Sequence, residues 1–327
     1  MTITSRRSWL TGAVVAVAAM ASAPAHVHAQ AYPTQDIHVI CAFPAGSGAD
    51  VLVRYFADKL RPIVGRTVIV ENKAGAGGNI ATEYVAKARP DGHVIYVHAA
   101  TAVALNQHLF RKPPVDVAKA LRVVATINRQ PWMLLVDAKS PYKTVADLTA
   151  AMQQKGDKAS FATAAPTGRV MGEIYKNAKG LKAVEVNYKT APDSLNELTS
   201  GKLDYGLHDP VFSLAQQRQG RLRILAVSTA KRLDAAADLP TMTEFGIPMD
   251  LTGWWAAMVP TGTPQPTIDT IHQWFVKIVS SDETRAFLNK FGGDPSINTP
   301  AKAQEMFEAA IKEWGEYARM AKIEPLG

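Results

Sequence analysis

Along most of the chain, short apolar runs rich in β-branched residues alternate with longer stretches whose apolar positions recur every three or four residues. The runs at 37–43, 67–72 and 93–99 predict strands. Between the first two, Leu52, Tyr55, Phe56, Leu60 and Ile63 share one face of a helix over 49–64, closed by Gly65. A second helix is predicted over 79–88, and Pro90 with Asp91-Gly92 turns the chain into the third strand. A second group of strands is predicted at 132–138, 159–163, 183–188, 205–209 and 222–229, with helices between them. One of those helices opens at Thr144, with an acid three residues on. A further apolar run covers 254–260, and amphipathic helices begin near Pro266, Asp282 and Pro300. This alternation predicts an α/β fold of mainly parallel sheets covered by helices. No fixed-period repeat and no low-complexity linker interrupts it. Two lobes without a spacer imply extended crossings, and 128–132 and 250–255, both ending in tryptophan, are the expected ones. One lobe is then 30–130 plus 252–327 and the other 131–251.

The first thirty residues depart from the pattern. Arg6 and Arg7 precede an apolar stretch that ends in the small-residue site Val27-His28-Ala29, the layout of a secretory signal peptide over 1–29. Its apolar core is too short for an ordinary membrane span. Ser5 to Leu10 suits a twin-arginine signal and a general secretory signal equally. The expected mature chain is soluble and begins near Gln30. The formal net charge of +7 falls to +5 once the two arginines of that segment are removed. This mild excess forms no Lys/Arg block, so no nucleic-acid partner is expected. Cys41, the one cysteine, lies in a strand and reads as a core residue; no disulfide supports the fold.

The chemistry begins at "FPAGSGAD", residues 43–50. A strand, a turn with two glycines and a helix bring bare backbone N–H groups and a positive helix end to one point, where an anion can sit. Gly46-Ser47-Gly48 opens a dinucleotide pattern, and Glu71 stands where a ribose-binding acid belongs. Val51 occupies the third glycine position and would hold helix and strand apart, and no Gly-Lys-Ser/Thr follows for a phosphate loop. Six histidines remain after residue 29: His38, His93, His98, His108, His208 and His272. They form no H-E-x-x-H pair, no C-x-x-C exists, and Ser47 lies in no G-x-S-x-G elbow. His208 and Asp209 are adjacent at a strand end and point to opposite faces. These absences predict a binding protein without catalytic residues, metal or cofactor; a secreted hydrolase is the alternative, and a ligand sensor docking a membrane receptor a third reading.

Three segments, "YPTQDIHVICAFPAGSGADVLVRYFADKL", "GRTVIVENKAGAGGNIATEYVAKARPDGH" and "GWWAAMVPTGTPQPTID", resemble the substrate-binding proteins of tripartite tricarboxylate transporters, the Bug family. The order is kept through "VNYKT", "LTSGKLDYGLHD" and "LPTMTEFGIP". The resemblance implies a two-lobe periplasmic binding protein of the type II, Venus-flytrap kind. It would be a monomer that captures a small carboxylate and delivers it to membrane permease subunits. It further implies a carboxylate held at the first loop by Phe43, Ala45, Gly46, Ser47, Gly48 and Ala49. The family's run of three glycines is broken there by Ser47 and Ala49, while Asp50 is kept and is expected to be the helix N-cap. Gly77, Gly78 and Asn79 place amides at the next helix start, and Thr101 joins the first lobe's set. In the second lobe Arg169 stands where the family carries a histidine. It is either a solvated arginine or a fork-shaped donor to a second carboxylate, with hydroxyls from Thr163 and Thr167. Tyr188, His208 and Asp209 end strands at the expected cleft, with Asp209 orienting Arg169 or accepting a ligand hydroxyl or amine. A dicarboxylate or aromatic carboxylate is favoured over an amino acid.

Overall fold

Hydrophobic burial sets the first unit. In the computed structural model, which describes residues 32–326, β1 (Ile37–Cys41) keeps only His38 partly exposed. The signal-peptide and twin-arginine expectations fall outside the described residues. Helix α1 (Gly48–Val64) presses Leu52, Val53, Phe56 and Leu60 onto the sheet and ends at Gly65, whose left-handed φ of 64° suits glycine. β2 (Val68–Asn72), α2 (Asn79–Ala86) and β3 (Val94–Ala99) follow at the expected places. Then come α3 (Ala100–Leu109), the short α4 (Val117–Ala120) and the ten-residue β4 (Leu121–Gln130).

The second group holds β5 (Met133–Asp137), α5 (Val145–Lys155), β6 (Ser160–Thr163), α6 (Pro166–Lys179) and β7 (Val184–Asn187). It continues through α7 (Leu195–Thr199), β8 (Tyr205–His208), α8 (Pro210–Arg218) and β9 (Leu222–Val227). Thr144 and Asp147 form the expected reciprocal capping box on α5. The chain then returns through β10 (Gly253–Pro260), α9 (Gln265–Val279), α10 (Asp282–Lys290), β11 (Asp294–Pro295) and α11 (Pro300–Met320).

Two sheets result: a six-stranded one ordered β11-β4-β10-β3-β1-β2 and a five-stranded one ordered β7-β6-β8-β5-β9. Both are mixed rather than mainly parallel. β10 runs antiparallel to β3 and β4, and β5 antiparallel to β8 and β9. The reason is geometric. β4 leaves the first sheet where β10 enters it, and β5 starts at the seam where β9 ends, so each pair must run in opposite directions.

The crossings are also narrower than expected. Residues 128–130 and 253–255 pair with each other inside the first sheet, Trp255 opposite Asn128 and Gly253 opposite Gln130. What passes between the sheets is Pro131-Trp132 on one side and residues 228–252 on the other. One buried serine ties them together. The Trp132 N–H donates to Ser228 Oγ at 2.8 Å, and that hydroxyl donates to the Leu251 carbonyl at 2.9 Å. Backbone bonds of 2.9 Å from Ser228 to Trp132 and from Leu251 to Ser228 complete the knot. Apolar side chains of both sheets, among them Tyr96, Leu134, Phe161 and Trp254, pack into one continuous core.

Candidate functional site

Four long helices begin at the carboxyl ends of strands near the seam, and their first turns differ sharply. The first-turn N–H groups of any helix lack an internal acceptor, so each must find a cap or a ligand. At α1 the cap is Ser47, whose Oγ accepts from the Asp50 N–H at 3.2 Å. The expectation of an Asp50 cap is corrected: Asp50 sits inside the first turn and reaches back instead. Its carboxylate accepts from the Gly46 N–H at 2.8 Å, Arg54 Nε at 2.8 Å and Asn72 Nδ2 at 2.7 Å. Burial alone would raise the Asp50 carboxyl, but the Arg54 and Asn72 side chains and the Gly46 amide outweigh it and hold it below the usual range. Asn72 also donates to the Phe43 carbonyl at 2.9 Å, which fixes the loop. The Ser47 N–H turns back to Pro44 at 3.2 Å. The amide nest at Gly46 and Ser47 is therefore closed by the chain's own oxygens. Gly48 lies at the seam, since a Cβ there would meet the Val211 side chain of α8 at 2.7 Å. Gly46, at φ +80°, has open space around its Cβ position.

Helix α8 is closed in the same way. Asp209 is its N-cap, with Oδ1 accepting from the Phe212 N–H at 3.0 Å, and desolvation raises its pKa. It is thus a cap and not the partner of Arg169. Arg169 Nε lies 3.2 Å from Glu185 Oε2, and Glu185 Oε1 accepts from the buried Thr163 hydroxyl at 2.6 Å. Glu185, missed in the sequence, faces Thr163 because β7 runs beside β6 in parallel register. The Tyr188 hydroxyl donates to Glu197 Oε2 at 2.8 Å, and burial together with that carboxylate pushes its pKa up to about 12. His208 is buried against Ser194 Oγ at 3.0 Å and Phe212, and burial holds it down to about 3. Its neutral ring belongs to the packing of the second sheet.

The other two helices begin bare. α3 has Ala99 at its N-cap and α6 has Ala165, and neither makes a side-chain capping bond. Both starts are buried, at Ala100 and Thr101 and at Thr167 and Gly168. Both also reach the crossing: Thr101 Oγ1 lies 3.8 Å from a Cβ placed at Gly253, and a Cβ at Gly168 would stand 2.9 Å from Trp132 Nε1. Bare, buried N–H groups with a positive helix end suit a carboxylate.

Above β3, residues 76–78 form a short turn leading into α2, with Gly77 at φ 63° and Gly78 at φ 100°. Asn106 Nδ2 donates to the Gly77 carbonyl at 2.9 Å and to Asn79 Oδ1 at 3.1 Å, so Asn79 braces the turn. Beneath it lies His98, in ring contact with Phe43, Tyr96 and Trp255. A depression of about 410 Å³ ringed by Asp36, His38, Tyr84, Arg89 and His93 lies where β1 and β3 begin. Ligands of open α/β sheets gather beyond the carboxyl strand ends, so this opposite edge is not the candidate site. Among the described residues no group of three His, Cys, Asp or Glu side chains could hold a metal ion, and no helix is long and apolar enough to cross a membrane.

Residues 52–321 match the tripartite tricarboxylate transporter family receptor. The chain is 30% identical to R. palustris Rpa4515, solved with adipate, with a TM-score of 0.84 over 90% of this chain and 100% of that one. It is 26% identical to the periplasmic binding protein BugD, with a TM-score of 0.81 over 90% of this chain and all of that one. A UPF0065 protein of Bordetella bronchiseptica is 29% identical over 93% of this chain and 90% of its own length. Protein BugT of Bordetella pertussis is 27% identical over 92% and 94%. With the two-sheet α/β architecture, these matches establish that the chain belongs to the tripartite tricarboxylate transporter receptor family, the periplasmic solute-binding proteins of the TctC and Bug type.

Proposed function

We propose that this chain, exported through the segment 1–29, captures a small carboxylate between two lobes, 30–130 plus 252–327 and 131–251. It then delivers the ligand to the membrane subunits of a tripartite transporter. The observation that carries the reading is the pair of uncapped, buried helix starts, α3 at Thr101 and α6 at Thr167, beside the crossing. A carboxylate caps such starts as a side chain does elsewhere, and the positive helix ends favour its charge. The first loop adds the Gly48 and Ala49 amides, and Arg169, steadied by Glu185, adds a cation from the second lobe. Adipate in the related R. palustris protein supports a dicarboxylate or another carboxylate with an apolar body. Binding alone accomplishes this task, with no covalent step.

A thermal-shift screen of aliphatic and aromatic acids tests the reading. A ligand at 100 times its Kd adds roughly 2.7 kcal/mol to the folded state, a clear rise in Tm. A chain that no carboxylate stabilises, and that turns over ester or amide substrates, contradicts it.

A further inference from the structure

We propose that His98 and Trp255 form a subsite for an uncharged hydrogen-bonding group on the ligand's body, a hydroxyl or a ring nitrogen, so that the site selects flat aromatic carboxylates. This rests on the carboxylate reading above and adds the residues that choose among carboxylates.

Three ring nitrogens carry the inference. Nδ1 and Nε2 of His98 and Nε1 of Trp255 are buried and have no hydrogen-bond partner among the described residues. His98 is 1% exposed and Trp255 4%. Their rings meet edge to face with centroids 5.8 Å apart, and the half-buried Phe43 ring stands 5.1 Å from His98 and 6.1 Å from Trp255. Folded interiors pair nearly all buried polar atoms, because a group left unpaired costs its whole desolvation energy. Three such nitrogens in one aromatic cluster mark a place for a partner from outside the chain.

The location is the binding edge of the first sheet. His98 is the last residue but one of β3, Trp255 is the third of β10, and Phe43 begins the first loop. Gly78 covers His98 without a side chain, and a Cβ there would stand 3.1 Å from Nε2. The chemistry of the spot is neutral. Burial holds the imidazole down to about 3, so at pH 7 it offers one donor and one acceptor, and the indole offers one donor. Among the described residues no ion pair or cation–ring contact reaches His98 or Trp255: Arg54 pairs with Asp50, and Arg169 stands beside Glu185 in the second sheet. A second carboxylate would find no free charge beside His98 and Trp255. A hydroxyl or ring nitrogen finds both donor and acceptor there, and Phe43 offers a flat apolar neighbour to the ring that carries it.

Calorimetric titration of the purified mature protein tests this with benzoate, 4-hydroxybenzoate, pyridine-3-carboxylate and adipate, on the parent and on His98→Phe and Trp255→Phe. The parent should bind 4-hydroxybenzoate or pyridine-3-carboxylate about tenfold tighter than benzoate, the worth of a good hydrogen bond. Both variants should erase that preference while benzoate and adipate stay within about twofold. His98→Phe should melt no lower than the parent, because it removes two unpaired nitrogens and keeps a ring. The preference persisting in both variants, or adipate binding with no aromatic acid binding, overturns the subsite and leaves the carboxylate reading in place. A large fall in Tm with the preference intact makes His98 a packing residue and also overturns it. Failure of every acid, adipate included, sinks both. Should His98→Phe not fold, Trp255→Phe carries the test alone.

Discussion

The starts of α1 and α8 and the starts of α3 and α6 lie around one seam and meet the same physical requirement in opposite ways. α1 and α8 cap themselves, through Ser47 and Asp209, and touch across the seam where Gly48 packs against Val211. α3 and α6 begin after alanines and leave their first amides uncapped beside the crossing. A glycine-rich loop is therefore a poor guide to where an anion sits: its amides can be satisfied internally, as Gly46 is by Asp50. Bare helix starts mark the better place, and here the sequence shows only Ala99-Ala100-Thr101 and Ala165-Pro166-Thr167, with no capping side chain.

The largest expected effect is on acid stability, and it treats the two sides alike. His98 and His208 are each held down to about 3 by burial. In the unfolded chain they protonate near pH 6.5, whereas in the folded chain they stay neutral, so the unfolded state binds more protons below that pH. Stability is full above pH 6.5 and falls as the pH drops toward 3, by about 1.4 kcal/mol per unit for each histidine. Urea unfolding at pH 7 and pH 5 should show the loss, and His98→Phe should remove about half of that slope. An unchanged slope in the variant would separate the two sides.

Gly168→Ala strikes the bare start of α6. The new Cβ would meet the Leu207 carbonyl at 2.5 Å and Trp132 Nε1 at 2.9 Å, so the helix must move from the crossing. A loss of about 1–3 kcal/mol and of the ligand-induced rise in Tm is expected. Ser228→Ala leaves the Trp132 N–H without its hydroxyl acceptor and the Leu251 carbonyl without its hydroxyl donor. Denaturant titration should show a cost of about 1–3 kcal/mol. Small-angle scattering should show a looser ligand-free form, because this knot joins Trp132 to both ends of the 228–252 crossing. Ser47→Ala removes only the α1 cap, worth about 1 kcal/mol, and calorimetry should find ligand affinity unchanged. A large affinity loss there would make the Ser47 hydroxyl a ligand contact rather than only a cap.

The strand–helix order, the Thr144 capping box and the Gly65 terminus are local signals and were legible. The α1 cap was misread as Asp50, although the Ser47-x-x-Asp50 spacing carries a capping signal that points to Ser47. β4 was not legible, because its polar end looked like a linker. Asn128 and Gln130 are buried there, and Asn128 Oδ1 accepts from the Trp255 N–H at 3.2 Å beside a register shift in β10. Polar residues in that strand serve the irregularity of its neighbour, which only tertiary pairing reveals. Glu185 and the setting of His98 were hidden for the same reason: one depends on the register of β7 beside β6, the other on a glycine turn twenty residues earlier in the chain folding over the ring.

The central claim is that ligand carboxylate is held by backbone N–H groups at an uncapped helix start. Thr167→Pro tests it most directly, since proline is tolerated in a first helical turn while deleting the amide, and Thr167→Ala keeps the amide and deletes only the hydroxyl. Calorimetry with the acid that raises Tm most should show Thr167→Ala binding within about threefold of the parent, and Thr167→Pro weaker by tenfold or more with an unchanged circular dichroism spectrum. Parent-like affinity in Thr167→Pro would contradict the account.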